Sequence, residues 1–80
     1  MSKKHEKIVA KINARPTRSD VRWSELEALL MHMGATRTEG RGSRVRFKIG
    51  MRRLHLHRPH PSPFVNKATL EDVREFIAKL

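Results

Sequence analysis

The chain has 80 residues, with 18 Lys and Arg against 8 Asp and Glu, a formal net charge of +10, and no cysteine. A chain of this size buries only about 60% of its unfolded surface, which allows one domain with a modest core and excludes a large multidomain enzyme. Lack of cysteine removes disulfides, thiolate zinc sites and thiol nucleophiles, while the excess of positive charge points to a polyanion or an acidic protein as partner.

No apolar run approaches the ~20 residues that span a bilayer. The start MSKKHEKIVAKI lacks the apolar stretch of a secretory signal. The expectation is a soluble, cytoplasmic protein with no membrane partner.

In chain order, Lys3 to Asn13 is predicted as a short helix with Ile8, Val9 and Ile12 on one stripe. Pro16 ends it, because the residue before a proline is pushed out of the helical region. A second helix is expected from Ser24. Ser24 with Glu27 has the spacing of a capping box, and Trp23 is the apolar residue before it. Leu26, Leu29, Leu30 and Met33 form its apolar stripe, and Gly34 suits the left-handed position after a helix. Ala35 to Glu39 is predicted as a first strand, and Gly40-Arg41-Gly42-Ser43 as a turn. Two more strands follow, Arg44–Ile49 and Arg52–His57, joined by Gly50-Met51. A two-residue loop with glycine first fits a type II′ hairpin turn. The stretch Arg58-Pro59-His60-Pro61-Ser62-Pro63 is barred from a sheet interior, since prolines donate no ladder hydrogen bonds. A last helix is predicted from Leu70 to the end, with Thr69 and Asp72 as its cap and Leu70, Val73, Phe76, Ile77 and Leu80 on one face. The order α-α-β-β-β-α defines an α+β fold, with a three-stranded antiparallel sheet carrying helices on one face. It is expected to form a single domain over residues 1–80, with 1–21 as an N-terminal helical extension and 22–80 as the core.

The two-residue loop sets a register. Ile49 then opposes Arg52, Phe47 opposes Leu54 and Val45 opposes Leu56, on the face toward the helices. On the other face Lys48 meets Arg53, Arg46 meets His55 and Arg44 meets His57. Like charges directly opposite on a sheet are destabilising, by a few tenths up to ~1 kcal/mol per pair. From Gly40 to Lys67 there are eight Lys and Arg and no Asp or Glu. An anionic cover explains such a face, and a phosphodiester backbone supplies one by releasing its condensed counterions. Arg44, Arg46, Lys48, Arg53, His55 and Arg58 are the candidate RNA-binding residues. No Phe, Tyr or Trp projects from this face, which favours contact with backbone and shape over base stacking.

His55, His57 and His60 cluster at the end of the third strand. A metal site is not expected there, because no Cys, Asp or Glu accompanies them and arginines repel a cation. Nor is any cofactor expected. Acid–base work suits them better, since an unperturbed histidine exchanges a proton near neutral pH. Cleavage of RNA by its own 2′-hydroxyl needs a base, an acid and positive charge on the transition state. His57 or His60, with Arg44 and Arg46, are the candidate catalytic groups; a role limited to hydrogen bonding phosphate is the alternative. His5 and His32 are read as surface residues, and Trp23 as part of the core. Lys3, Lys4, Lys7 and Lys11 make the first helix a possible extension of the cationic surface, or merely a solvated face.

Ser24 to Gly34, the Gly42-Ser43 turn with Arg44-Val45-Arg46-Phe47, the stretch His57-Arg58-Pro59-His60-Pro61 and the closing helix together resemble the HicA-type (YcfA-like) toxins. The resemblance covers about Arg22 to Leu80 and rests on order and spacing rather than on one long motif. It implies a fold like the double-stranded-RNA-binding domain. It also implies a metal-independent endoribonuclease acting on messenger RNA, an mRNA interferase, neutralised by a HicB-type antitoxin. One departure stands out. In most of that family a catalytic histidine follows the Gly-Ser turn by one or two places, and here Arg44 and Val45 hold those places. A histidine from the neighbouring strand substitutes, His57 opposite Arg44 being the obvious one, or the protein binds RNA without cutting it.

Overall fold

The computed structural model describes residues 3–80. Its elements are α1 (Lys3–Asn13), α2 (Trp23–His32), β1 (Thr36–Glu39), β2 (Arg44–Ile49), β3 (Arg52–His57) and α3 (Lys67–Ala78). The strands form one antiparallel sheet in the order β1-β2-β3. The α+β layout α-α-β-β-β-α is therefore the one expected.

The hairpin register also agrees, with Ile49 opposite Arg52, Phe47 opposite Leu54, Val45 opposite Leu56 and Arg44 opposite His57. Gly50 takes φ +58°, and Met51 does not share a positive φ. That combination is the type II′ requirement, and glycine meets it without the backbone strain that a positive φ imposes on other residues. Strand pairing puts Val45, Phe47, Leu54 and Leu56 into the core, each at most 8% exposed. They meet Trp23, Leu26, Leu29 and Leu30 of α2 and Leu70, Val73 and Phe76 of α3. The rings of Trp23 and Phe47 are 6.1 Å apart at a tilt of 50°. Among the described residues no polar or charged side chain is buried.

Both helix starts differ from the sequence expectation. α2 begins at Trp23 with Arg22 as its N-cap; Ser24 is exposed and caps nothing. The reciprocal carboxylate comes from Glu25, whose Oε1 accepts a hydrogen bond from the Arg22 N–H at 3.0 Å. The cap is displaced because the chain before it is pinned elsewhere. Arg22 bridges to Phe64, the Trp23 N–H donates to the Pro63 carbonyl at 2.8 Å, and the Val65 N–H donates to the Val21 carbonyl at 2.8 Å. α3 begins three residues early, at Lys67. Asn66 is its N-cap, with Oδ1 accepting from the Thr69 N–H at 2.8 Å. Asparagine is among the strongest N-cap residues, and Thr69 serves as the donor it satisfies. Leu80 lies past the helix and is 50% exposed, so it does not extend the buried stripe.

α1 packs across α2 and α3. Ile8 and Ile12 are 1% exposed and belong to the same apolar cluster as the rest of the core. Its last turn is held from α3: Arg74 Nε donates to the Ile12 carbonyl at 2.9 Å, and Nη2 to the Ala14 carbonyl and Thr17 Oγ1, both at 3.1 Å. A guanidinium at this end satisfies carbonyls that the helix leaves without partners and complements its negative pole. His5 and His32, read as independent surface residues, stack with centroids 4.2 Å apart.

Replacing Ile12 with Ala should lower unfolding free energy by about 2–4 kcal/mol, and Arg74→Ala by about 2 kcal/mol through loss of charge-assisted hydrogen bonds. Urea titrations read by circular dichroism measure both. A loss under about 0.5 kcal/mol for either variant, the usual range of a surface change, would mean that α1 is not held as described.

Candidate nucleic-acid interface

The site is built by strand parity. Successive side chains on a strand point to opposite faces. With Val45, Phe47, Leu54 and Leu56 inward, Arg44, Arg46, Lys48, Arg53, His55 and His57 must point outward, and each is exposed or half-buried. In a two-residue hairpin the loop-closing pair, Ile49 and Arg52, is the hydrogen-bonded kind, and pair types alternate from there. The three outward pairs Lys48–Arg53, Arg46–His55 and Arg44–His57 are therefore all of the non-hydrogen-bonded kind. That kind brings side chains closest, so the cations are gathered rather than dispersed.

No ion pair among the described residues relieves Arg44, Arg46, Lys48 or Arg53, the arginines and the lysine of this face. Thr36 and Thr38 oppose Lys48 and Arg46 from β1. The nearest carboxylate by sequence, Glu39, opposes the buried Val45 and so belongs to the helix-side face. It is held there by two arginines. Its Oε1 accepts from Arg37 and, at 2.8 Å, from Arg58 Nη2. These hydrogen bonds, Arg58 first, hold the Glu39 carboxyl below the usual carboxylate range. Arg37 also reaches α2, with Nε 2.8 Å from Glu27 Oε2. Its N–H is turned off that oxygen, so the attraction is coulombic rather than a hydrogen bond.

A groove of about 440 Å³ opens at the Arg44 end of the face. Thr38, Glu39, Gly40, Arg44, Val45, Arg46, His55, Leu56 and His57 line it. The Arg58 N–H donates to the Ser43 carbonyl at 2.7 Å, tying the Gly42-Ser43 turn to the end of β3. Of the residues singled out in the sequence, Arg44, Arg46, His55 and His57 come together at the groove, with Lys48 and Arg53 in the next row. Arg58 is engaged with Glu39, and His60 lies on the proline loop beside a cis His60–Pro61 peptide, outside the groove lining. Sequence reading missed the Arg37–Glu39–Arg58 clasp. A charge of each sign at alternate positions of β1 was its only local signal. Among the described residues, no three His, Asp or Glu side chains gather as metal ligands. On α1, Lys11 lies 3.8 Å from Glu25 and 4.0 Å from Asp20, while Lys3, Lys4 and Lys7 are exposed.

The sheet thus carries an outward cationic face, with His55 and His57 at the groove and the helices behind it. A family model described as the HicA toxin of bacterial toxin-antitoxin matches residues 23–79. The chain belongs to that family, the toxins of toxin–antitoxin pairs. The match takes in α2, the whole sheet and nearly all of α3, and leaves α1 outside. Neither the curated proteins nor the solved structures contain a match to the chain. No helix among the described residues is long and apolar enough to cross a membrane.

Glu39 generates a pH dependence of stability. Its folded pKa is lowered, so its contribution is present above the ordinary carboxylate value and fades as pH falls through the folded one. Glu39→Gln should therefore be less stable than the parent at pH 7, with the gap closing as the solution is taken well below the ordinary 4.5. Urea midpoints at neutral and acid pH measure it, and a gap that stays constant would refute the clasp.

Proposed function

We propose that the chain is an RNA-binding toxin and a metal-independent endoribonuclease acting on messenger RNA in the cytoplasm. An acidic, HicB-type antitoxin neutralises it by covering the same face. The observation that carries the reading is the outward file of unpaired cations with His57 opposite Arg44 beside the groove. Arg44, Arg46, Lys48 and Arg53, with His55, hold phosphates, and Arg58 joins them where it is released from Glu39. His57, or His60 on the adjoining loop, takes the proton from a 2′-hydroxyl. That oxygen attacks the adjacent phosphorus, the bond to the 5′-oxygen breaks, and the other histidine returns a proton to the departing oxygen. Arg44 and Arg46 stabilise the extra negative charge of the pentacoordinate transition state. No step calls on a metal or cofactor.

A second reading has its own observation. The position where relatives most often carry a histidine includes Val45, which is 3% exposed and faces the helices. On that reading the protein binds RNA without cutting it.

Incubation of purified protein with a mixed messenger RNA, with and without chelator, separates the two. The enzyme reading expects cleavage that survives the chelator and falls by about 100-fold or more in His57→Ala, with His60→Ala as its companion. Salt-sensitive binding with no cleavage would establish the non-cutting reading instead. Absence of RNA binding near physiological salt would remove both and leave the cationic face to an acidic protein alone.

A further inference from the structure

The outward cations stand in a single file of three rows, Lys48 with Arg53, Arg46 with His55, and Arg44 with His57. Within a row the Cβ atoms are about 5 Å apart. Rows are two residues apart, which on a strand is about 6.7 Å. The file is thus about 13 Å from first row to last. On one flank β1 offers the hydroxyls of Thr36 and Thr38, without charge; on the other, β3 is the sheet edge. No second file of cations runs beside the first on this face.

Resting on the RNA-binding reading, we propose that the file takes one extended single strand, one phosphate to each row, laid along the hairpin with its last phosphate at Arg44 and His57. The single track decides for this form. A step of about 6.7 Å lets each row meet one phosphate of a single backbone. A duplex carries two phosphate strands across a groove. Shape readers of double-stranded RNA meet it over about 16 base pairs and two successive minor grooves. One file about 13 Å long has no second track for the opposite strand. With no Phe, Tyr or Trp in the three rows, the sheet offers no large stacking platform, and affinity follows charge rather than sequence. The groove runs beside the second and third rows, where a nucleotide of the strand can turn into it.

The footprint is three phosphates, and salt dependence counts them. The probes are 2′-O-methyl oligouridylates of about two to ten nucleotides, which cannot be cut by 2′-hydroxyl attack, and a 2′-O-methyl duplex; anisotropy is read from about 50 to 200 mM salt. The slope of log affinity against log salt should steepen with length to about −2 at four nucleotides, then stay constant, because each phosphate contributes about −0.7. Arg46→Gln, checked for its fold by circular dichroism, should make that slope shallower by about 0.7. The single strand should bind at least about tenfold tighter than the duplex, both tracks of which cannot be held. A slope that keeps steepening to ten nucleotides, or a duplex bound as tightly as the single strand, would overturn the single-file proposal while leaving RNA binding intact. Salt-independent or absent binding to both probes would overturn the RNA-binding reading itself.

Discussion

Everything in this protein depends on the register of one hairpin. Gly50 at positive φ closes a two-residue loop, and that loop fixes which residues of β2 and β3 share a face. A slip of one residue would turn Phe47 and Leu54 to solvent and drive Arg46 and His55 into the helices. The energies make the choice one-sided. The like-charged outward pair Lys48–Arg53 costs up to ~1 kcal/mol. Burial of Val45, Phe47, Leu54 and Leu56 is worth about 1.5–3 kcal/mol apiece. The core therefore imposes the crowding of cations, and the fold tolerates it.

The same parity separates the two populations of charge. Glu39 opposes Val45 and is clasped by Arg37 and Arg58, so the single carboxylate of β1 borders the groove but forms no ion pair with Arg44 or Arg46. Arg44 stands outward and Val45 inward, so the two places after the Gly42-Ser43 turn are not equivalent. A side chain at the first can reach a bound phosphate; one at the second is surrounded by Trp23, Phe47 and their neighbours in the core. Membership of a toxin family and the departure from its usual histidine meet at this one step along β2.

Much of the fold was legible in the residues themselves. α1, β2 and β3 lie where periodicity placed them, because apolar spacing and a two-residue turn are local signals. The outward grouping of Arg44, Arg46, Lys48, Arg53, His55 and His57 followed from the same alternation. The starts of α2 and α3 were not legible. Ser24 and Thr69 have the chemistry of caps, yet the bonds of Trp23 and Val65 to Pro63 and Val21 fix the backbone upstream and hand the caps to Arg22 and Asn66. The Glu39 clasp and the Arg74 bonds join residues 19 and about 60 positions apart, and no window of sequence displays such partners. Leu80 continues the apolar periodicity of α3 but lies beyond its last turn, where there is no layer left to cover it.

Arg74 also ties the order of events in synthesis to the finished shape. The carbonyls it holds belong to Ile12 and Ala14, emitted by the ribosome some sixty residues earlier. Until α3 has left the exit tunnel, the first helix has neither its guanidinium latch nor half of its apolar seat. The finished position of the first helix is therefore set by the last element of the chain to be made.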